Sequence, residues 1–440
     1  MAAGRNMIGR SLDRATTLRL GRTLSAQAYG QIVTILVQIA LVPLLLHAWG
    51  TRLYGAWLLL SAVPFYLTFS DLGFTNVAKN AMVMAVAAGR RDVATRVFHS
   101  VFALLCAASP LLMVASAALI LAVDLRQWLA LDAKAAVSAP AVLLLLILQV
   151  LLYQFFLLVC AGIRSGNRPA TEAAWAATAR LMEGAAIAIA AWAGGGLVAA
   201  AAAMVVARLI ALFAAYRSLR RLADWLRLGW RQADGAALAS LWRPALAHML
   251  LPLGQALLIH LPVVIIGGIM GALATVTFAT TRTLARLGMA ATNMISNSVA
   301  SEYAALAGQG DQHCAARLLR LQVGATLMLI AAYGLAILVA APFVLPLLTH
   351  DSVGAVYPFL PLLVAAVAAE MLWSALLTPI AAVNRHGGVT AAFLIVALAT
   401  MAAAGAVTEA WGLTGIAAAL LAAHAAMIPI TIIAGHRRAR

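Results

Sequence analysis

The chain has 440 residues, 64% of them apolar and only 10% charged, with a mean hydropathy of +0.98. Soluble domains do not carry that composition, so the sequence predicts an all-α integral membrane protein. A net charge of +16 would suit a nucleic-acid partner, but the basic residues follow the membrane instead, and none is expected.

A hydrocarbon core of about 30 Å needs about 20 apolar residues per helix. Stretches of that kind centre on 24–47, 53–78, 97–123, 137–161, 171–192, 196–216, 244–267, 272–300, 319–347, 356–381, 389–408 and 413–435, about 12 transmembrane helices. The first 22 residues carry Arg5, Arg10, Arg14, Arg19 and Arg22 and look like the start of a targeting signal. The apolar run that follows is too long for one and lacks a small-residue cleavage site, so 1–22 is expected to be a cytoplasmic basic tail. Span one places Gln27, Gln31, Thr34 and Gln38 on one helical face. Span two aligns Ser61, Thr68, Asp71 and Thr75 and ends in FSDLGFTNVAKN, where Asn76 and Asn80 lie one turn apart. On span five, Arg180 and Glu183 are spaced to pair with each other. Arg208, on span six, is left between snorkelling and pairing.

These six spans form an expected N-terminal bundle, 23–216. The stretch 217–243 sets Leu219, Leu222, Trp225, Leu226 and Trp230 at helical spacing among arginines. That pattern predicts an amphipathic linker helix lying on anionic membrane lipids. A C-terminal bundle, 244–435, and a short cytoplasmic tail, 436–440, follow. A shift of 221 residues brings Gly50 onto Gly271, Gln27 onto His248, Thr34 onto Gln255 and Asn76 onto Asn297. At a slightly different offset, GNRPATEAAW after span four resembles VNRHGGVTAAF after span ten. The matches predict two pseudo-symmetric six-helix bundles around a central cavity, the parallel-repeat design of many transporters.

Span eight aligns Thr275, Arg282, Arg286, Asn293 and Asn297. Arg282 falls about 15 Å into the span at about 1.5 Å per residue, near the midplane. An arginine there costs about 2.5–3.5 kcal/mol, and two on one face should meet a wet cavity or an anion. The competing expectation is internal pairing with Asp71, Glu172, Glu183 or Glu370. His260 and Glu370 are candidate ion-coupling residues because they are titratable groups set deep in spans.

The basic residues of both tails and of the even-to-odd loops share one side: Lys79, Arg90, Arg91 and Arg96; Arg164 and Arg168; those of 217–243; Arg317 and Arg320; Arg385; and Arg437, Arg438 and Arg440. Only Arg52, Arg126 and Lys134 fall opposite. The positive-inside rule then puts both termini in the cytoplasm. Cys106, Cys160 and Cys314 are scattered without ligand spacing, so no metal, cofactor or disulfide is expected. The sequence holds no phosphate-binding glycine loop, no acidic pair outside the spans and no nucleophile triad, which predicts a transporter and not an enzyme or an ATP-driven pump.

The stretch YGAWLLLSAVPFYLTFSDLGFTNVAKN, with Tyr54-Gly55, then Asp71-Leu72-Gly73 and Asn76, resembles the second-span region of polysaccharide transporters in the multidrug/oligosaccharidyl-lipid/polysaccharide (MOP) exporter superfamily, especially Wzx-type O-antigen flippases. The twelve-span layout and the span-eight segment TFATTRTLARLG are similar to that family as well. The resemblance implies a flippase of the bacterial inner membrane. It would carry an undecaprenyl-diphosphate-linked oligosaccharide from the cytoplasmic to the outer leaflet by alternating access, working beside glycan-assembly proteins. Arg282 and Arg286 would take the diphosphate, while Gln27, Gln31, Gln38, Asp71, Asn76, His248, Gln255 and Asn293 would line the polar path. Two alternatives stand beside it: a cation-coupled antiporter for drugs or small solutes, and a membrane glycan polymerase or ligase. Drug antiporters of the superfamily generally keep an acidic residue in the membrane for coupling, and span one here has none. Peptidoglycan-precursor flippases typically add two further spans. A polymerase usually needs a large outer loop, which this chain lacks.

Overall fold

The computed structural model describes residues 14–65, 73–123, 125, 133–348 and 354–436. The described residues form helices joined by short turns: α1 (Arg14–Phe65), α2 (Phe74–Ala87), α3 (Arg91–Ala122), α4 (Ala133–Ser165), α5 (Pro169–Trp192), α6 (Leu197–Leu222), α7 (Gly235–Arg286), α8 (Gly288–Gln309), α9 (Gln312–Leu348), α10 (Phe359–Ala382) and α11 (Gly387–His436). Seven of them, α3, α4, α6, α7, α9, α10 and α11, contain stretches long and apolar enough to cross a membrane. α5, which carries Glu172, Arg180 and Glu183, is not among them.

Local chemistry explains the ends. Pro169 opens α5, where its missing N–H is not needed. Gly310 closes α8 in the left-handed region, and the N–H groups of Gly310 and Asp311 return to the carbonyls of Ala307 and Leu306. Asp311 then caps α9, its Oδ1 accepting from Cys314 N–H at 2.9 Å.

Three helices are broken by glycine: α1 at Gly50 (φ 69°), α7 at Gly271 (φ 81°) and α11 at Gly412 (φ 57°). The break in α7 is a reversal. Arg282, beyond Gly271, donates from its guanidinium to the carbonyl of Ile259, before it, at 3.1 Å, so the two halves lie side by side. Gly50 and Gly271 are residues that the 221-residue shift superimposes. Among the described residues the two non-glycine positions with positive φ, Asn167 (62°) and Asn384 (58°), are the asparagines of GNR and VNR. The internal likeness in sequence therefore coincides with the same backbone turns at both places.

The chain divides into two compact units, Met1–Trp242 and Arg243–Arg440. In the first, α4 is central and touches α1, α2, α3, α5 and α6. Its Val142, Leu143 and Ile147 pack with Leu60 of α1 and with Ala200 and Ala201 of α6. In the second, α10 packs against α8, α9 and α11 around Phe359, Leu363, Trp373 and Leu377. Away from these cores, α3 exposes Leu111, Val114 and Leu121, and α9 exposes Leu335, Phe343 and Leu347. Rows of large apolar side chains left uncovered fit a lipid solvent and not water.

Two expectations change. The amphipathic helix of 217–243 is not formed: α6 ends at Leu222, α7 begins at Gly235, and the residues between run as an irregular strap. Side chains of α3 take the backbone groups that a helix would use. His99 Nδ1 accepts from Gln232 N–H at 3.3 Å, so its Nε2 donates to Arg227 O at 3.0 Å. Ser100 accepts from Asp234 N–H at 2.8 Å, and Arg220 holds the carbonyls of Asp224 and Leu226.

The single helix expected along 275–297 is also split, since α7 stops at Arg286 and α8 restarts at Gly288, although Leu287 between them keeps helical dihedrals (φ −56°, ψ −32°). There the Tyr333 hydroxyl donates to Leu284 O at 2.6 Å. Its ring lies so near Gly288 that an added Cβ would meet it at 2.6 Å. A side chain inserted into the ladder bends a helix. Gly288→Val should therefore push Tyr333 out and cost about 1–3 kcal/mol, read as a lowered Tm, while Tyr333→Phe, which keeps the ring, should cost about 1 kcal/mol.

Candidate functional site

The second unit gathers its charges around α10. Glu370, 2% exposed, accepts an ion-paired hydrogen bond from Arg286 of α7. His424 of α11 sets Nε2 3.8 Å from the same carboxylate oxygen. Trp373 donates from Nε1 to His424 Nδ1 at 3.2 Å, which leaves Nε2 as the protonated ring nitrogen directed at Glu370. Phe393 packs on the Trp373 ring at 4.9 Å and closes that side. Arg286 is thus neutralised, as the competing expectation had it. Arg282, one turn earlier, is not: its hydrogen bond goes to the Ile259 carbonyl, and the nearest acidic charge acting on it, Glu370, is bonded to Arg286.

The first unit carries two closed ion pairs. Arg164 binds Glu172 through Nε at 2.8 Å and through NH2. Arg208 binds Glu183 at 2.6 Å, and both are nearly buried, 5% and 12% exposed. Tyr153 and Phe156 lie 4.6 and 5.0 Å from the Arg208 guanidinium, and Gln149 donates to Glu183 as well. This corrects the expected Arg180–Glu183 pairing. Spacing of three residues permits that pair, but Glu183 turns to the cation on α6, where two aromatic rings and an amide complete a dry shell. Arg180 reaches across to α1 and donates to the Thr34 hydroxyl.

The remaining sequence-predicted residues are spread over both units. Gln27 and Gln31 are half-buried on α1, with no hydrogen-bond partner among the described residues; the same holds for Gln255 of α7 and Asn293 of α8, the latter exposed. Asn76 accepts from Lys79 at 3.2 Å. His248 meets the His386 ring edge-on at 5.8 Å. His260 is exposed on α7, apart from the Glu370 cluster's hydrogen bonds. Asp71 and the side chain of Gln38 lie outside the described residues. Sequence reasoning missed His424 and Trp373. The only signal was one histidine in the apolar run LLAAHAAM, and nothing in periodicity ties it to Glu370. No group of three His, Cys, Asp or Glu among the described residues is placed to hold a metal.

No protein-family model matches the sequence, and no curated protein does. Solved structures do match its fold. A Vibrio cholerae MATE transporter in its bent form aligns with a TM-score of 0.76 at 13% identity, over 96% of this chain and 97% of that one. A MOP superfamily transporter from Pyrococcus furiosus, described as having a binding pocket of reversed polarity that suggests a different function, aligns at 0.75 and 14%, over 96% of both chains. A multidrug resistance MATE family transporter of the MOP superfamily, in its outward-facing conformation, aligns at 0.75 and 15%, again over 96% of both. At such identities the likeness speaks for architecture, and this chain has the fold of MATE transporters of the MOP superfamily.

Proposed function

We propose that the chain is an alternating-access transporter for an anionic lipid-linked oligosaccharide, carrying an undecaprenyl-diphosphate-linked unit from the cytoplasmic to the outer leaflet of a bacterial inner membrane. The observation that carries this reading is Arg282, a cation deep in a helix hairpin whose hydrogen bond goes to a carbonyl and whose acidic neighbour is bound to another arginine. A diphosphate would complete it through charge-assisted hydrogen bonds. In each unit by itself, amides without partners among the described residues, Gln27 and Gln31 in one and Gln255 and Asn293 in the other, suit sugar hydroxyls. The glycine breaks at 50, 271 and 412 support counting α1, α7 and α11 as two spans each; with α2 taken together with the second half of α1, and α8 with the second half of α7, the layout comes to the twelve expected from the sequence, with both termini cytoplasmic. Glu370, with His424 beside it, is the site at which a coupling proton would act.

The drug or small-solute antiporter is the second reading, and the fold shared with a multidrug resistance MATE transporter favours it. The Pyrococcus furiosus transporter bears on the choice, because its description ties a change of pocket polarity on this fold to a change of function. In the native cell, Arg282→Ala should abolish the surface glycan while the protein stays in the membrane. Unchanged glycan together with lost drug resistance would establish the antiporter instead.

A further inference from the structure

We propose that Arg180 is the centre of a second oxyanion site, in the first unit, built by α5 and the polar face of α1 and fitted to a phosphoester headgroup. This deepens the transporter reading and rests on it only for what the phosphoester is attached to.

Arg180 lies midway along α5 and is exposed. With α5 counted as the fifth of the twelve proposed spans, a cation midway along it facing hydrocarbon is costly, so its face is polar or wet. The carboxylate one turn away is turned elsewhere: Glu183 Oε1 receives Arg208 at 2.6 Å and the Gln149 amide, while Arg180 bonds to Thr34. The contrast between the two arginines is chemical. Arg208 is enclosed by two rings and a carboxylate, whereas Arg180 makes one hydrogen bond among the described residues, to a neutral hydroxyl.

That hydroxyl fixes the direction of the site. Thr34 spends its own proton on the Gly30 carbonyl at 2.8 Å, so it can only accept from Arg180 and holds one of five guanidinium N–H groups. The others remain for an acceptor. Gln31 and Gln27, one and two turns back on the same face of α1, add amide donors with no partner among the described residues. Tyr29 and Thr178 approach to 3.4 Å and tie the two helices beside them. Close packing keeps the pair rigid: Gly184 of α5 sits where a Cβ would touch Val37 of α1 at 3.0 Å. A fixed cation among donors, with no carboxylate in contact, selects a phosphate-type oxyanion that takes paired N–H groups and rejects a cation.

The test uses the full-length protein in dodecyl maltoside, a phosphate-free detergent, and phenylglyoxal, which modifies accessible arginines, with labelling at Arg180 read by peptide mass spectrometry. In detergent alone Arg180 should label. Adding undecaprenyl diphosphate, or in a separate arm phosphatidylglycerol, at about ten times its Kd should cut that labelling about tenfold, because protection follows occupancy. Protection by the first identifies the lipid-linked cargo, and protection by the second a membrane phospholipid; both support the site. No labelling in detergent alone, or no protection by either lipid, overturns it. Arg180→Gln should weaken undecaprenyl diphosphate binding about tenfold with an unchanged Tm, and Arg180→Lys should restore part of it; a loss that follows Tm would mean a structural arginine. Arg282→Gln in the same binding assay separates the two proposals. Protection at Arg180 with wild-type affinity in Arg282→Gln would remove Arg282 as the cargo arginine and keep this site, and the converse pattern would do the opposite.

Discussion

Glu183→Ala should destabilise the first unit by about 3–5 kcal/mol, the loss expected when one partner of a buried ion pair is removed. The mutant would leave Arg208, 5% exposed, with its guanidinium facing Tyr153 and Phe156 and no carboxylate in contact. Even in the intact pair, Arg208 Nε and NH1 make no hydrogen bond among the described residues, so Glu183 and the two rings supply its compensation. Replacing both partners, Glu183→Met with Arg208→Met, removes the buried charges together and should recover most of the loss. Thermal unfolding in detergent reads the result. A Glu183→Ala protein as stable as wild type would mean that the pair is open to water and that α5 and α6 are not locked by it.

The second large effect is on cargo. Arg282→Gln keeps a long polar side chain and removes the charge, so it should lower affinity for an isoprenyl diphosphate by about 10–100-fold, the equivalent of about 1.5–3 kcal/mol for a hydrogen bond to a charged group. Stability should change little, since the lost contact is one bond to the Ile259 carbonyl. Arg286→Gln should behave differently. It strands Glu370, 2% exposed, beside His424, and the protein should lose stability before it loses function. The comparison matters because sequence spacing alone treats the two arginines as equivalent. Equal Tm losses in both variants, with equal affinity losses, would contradict the division between a binding arginine and a paired one.

What the sequence carries depends on the length scale of the interaction. Apolar runs and loop charges report on the membrane solvent, which acts on every residue, so the all-helical membrane character is legible. The turns at Gly50 and Gly271 and at Asn167 and Asn384 are legible too, because left-handed backbone restricts the local residue type. Ion pairing is another matter. Arg180 has a carboxylate at a permitted spacing and does not bond it, while Arg208 finds Glu183 across two helices. Arg286 finds Glu370, 84 residues away, and Trp373 orients His424 from the next helix. Such choices are made by packing around α4 and α10, which periodicity does not encode. The strap after Leu222 shows the same limit, since its hydrogen bonds to His99 and Ser100 override a helical pattern that is plain in the sequence. The internal repeat is likewise one of backbone and not of charge. The position 221 residues before Arg286 is Phe65, and that before Arg282 is Ser61.

The proposed cargo is an anion. The direct measurement is initial transport in proteoliposomes of the purified chain, with undecaprenyl diphosphate in one set and a lipophilic cationic dye in the other. Transport of the diphosphate that falls by about tenfold or more in Arg282→Gln, with the dye left behind, is the predicted result. Transport of the dye by wild type and Arg282→Gln alike, with the diphosphate left in its leaflet, would contradict it and leave a drug antiporter in its place.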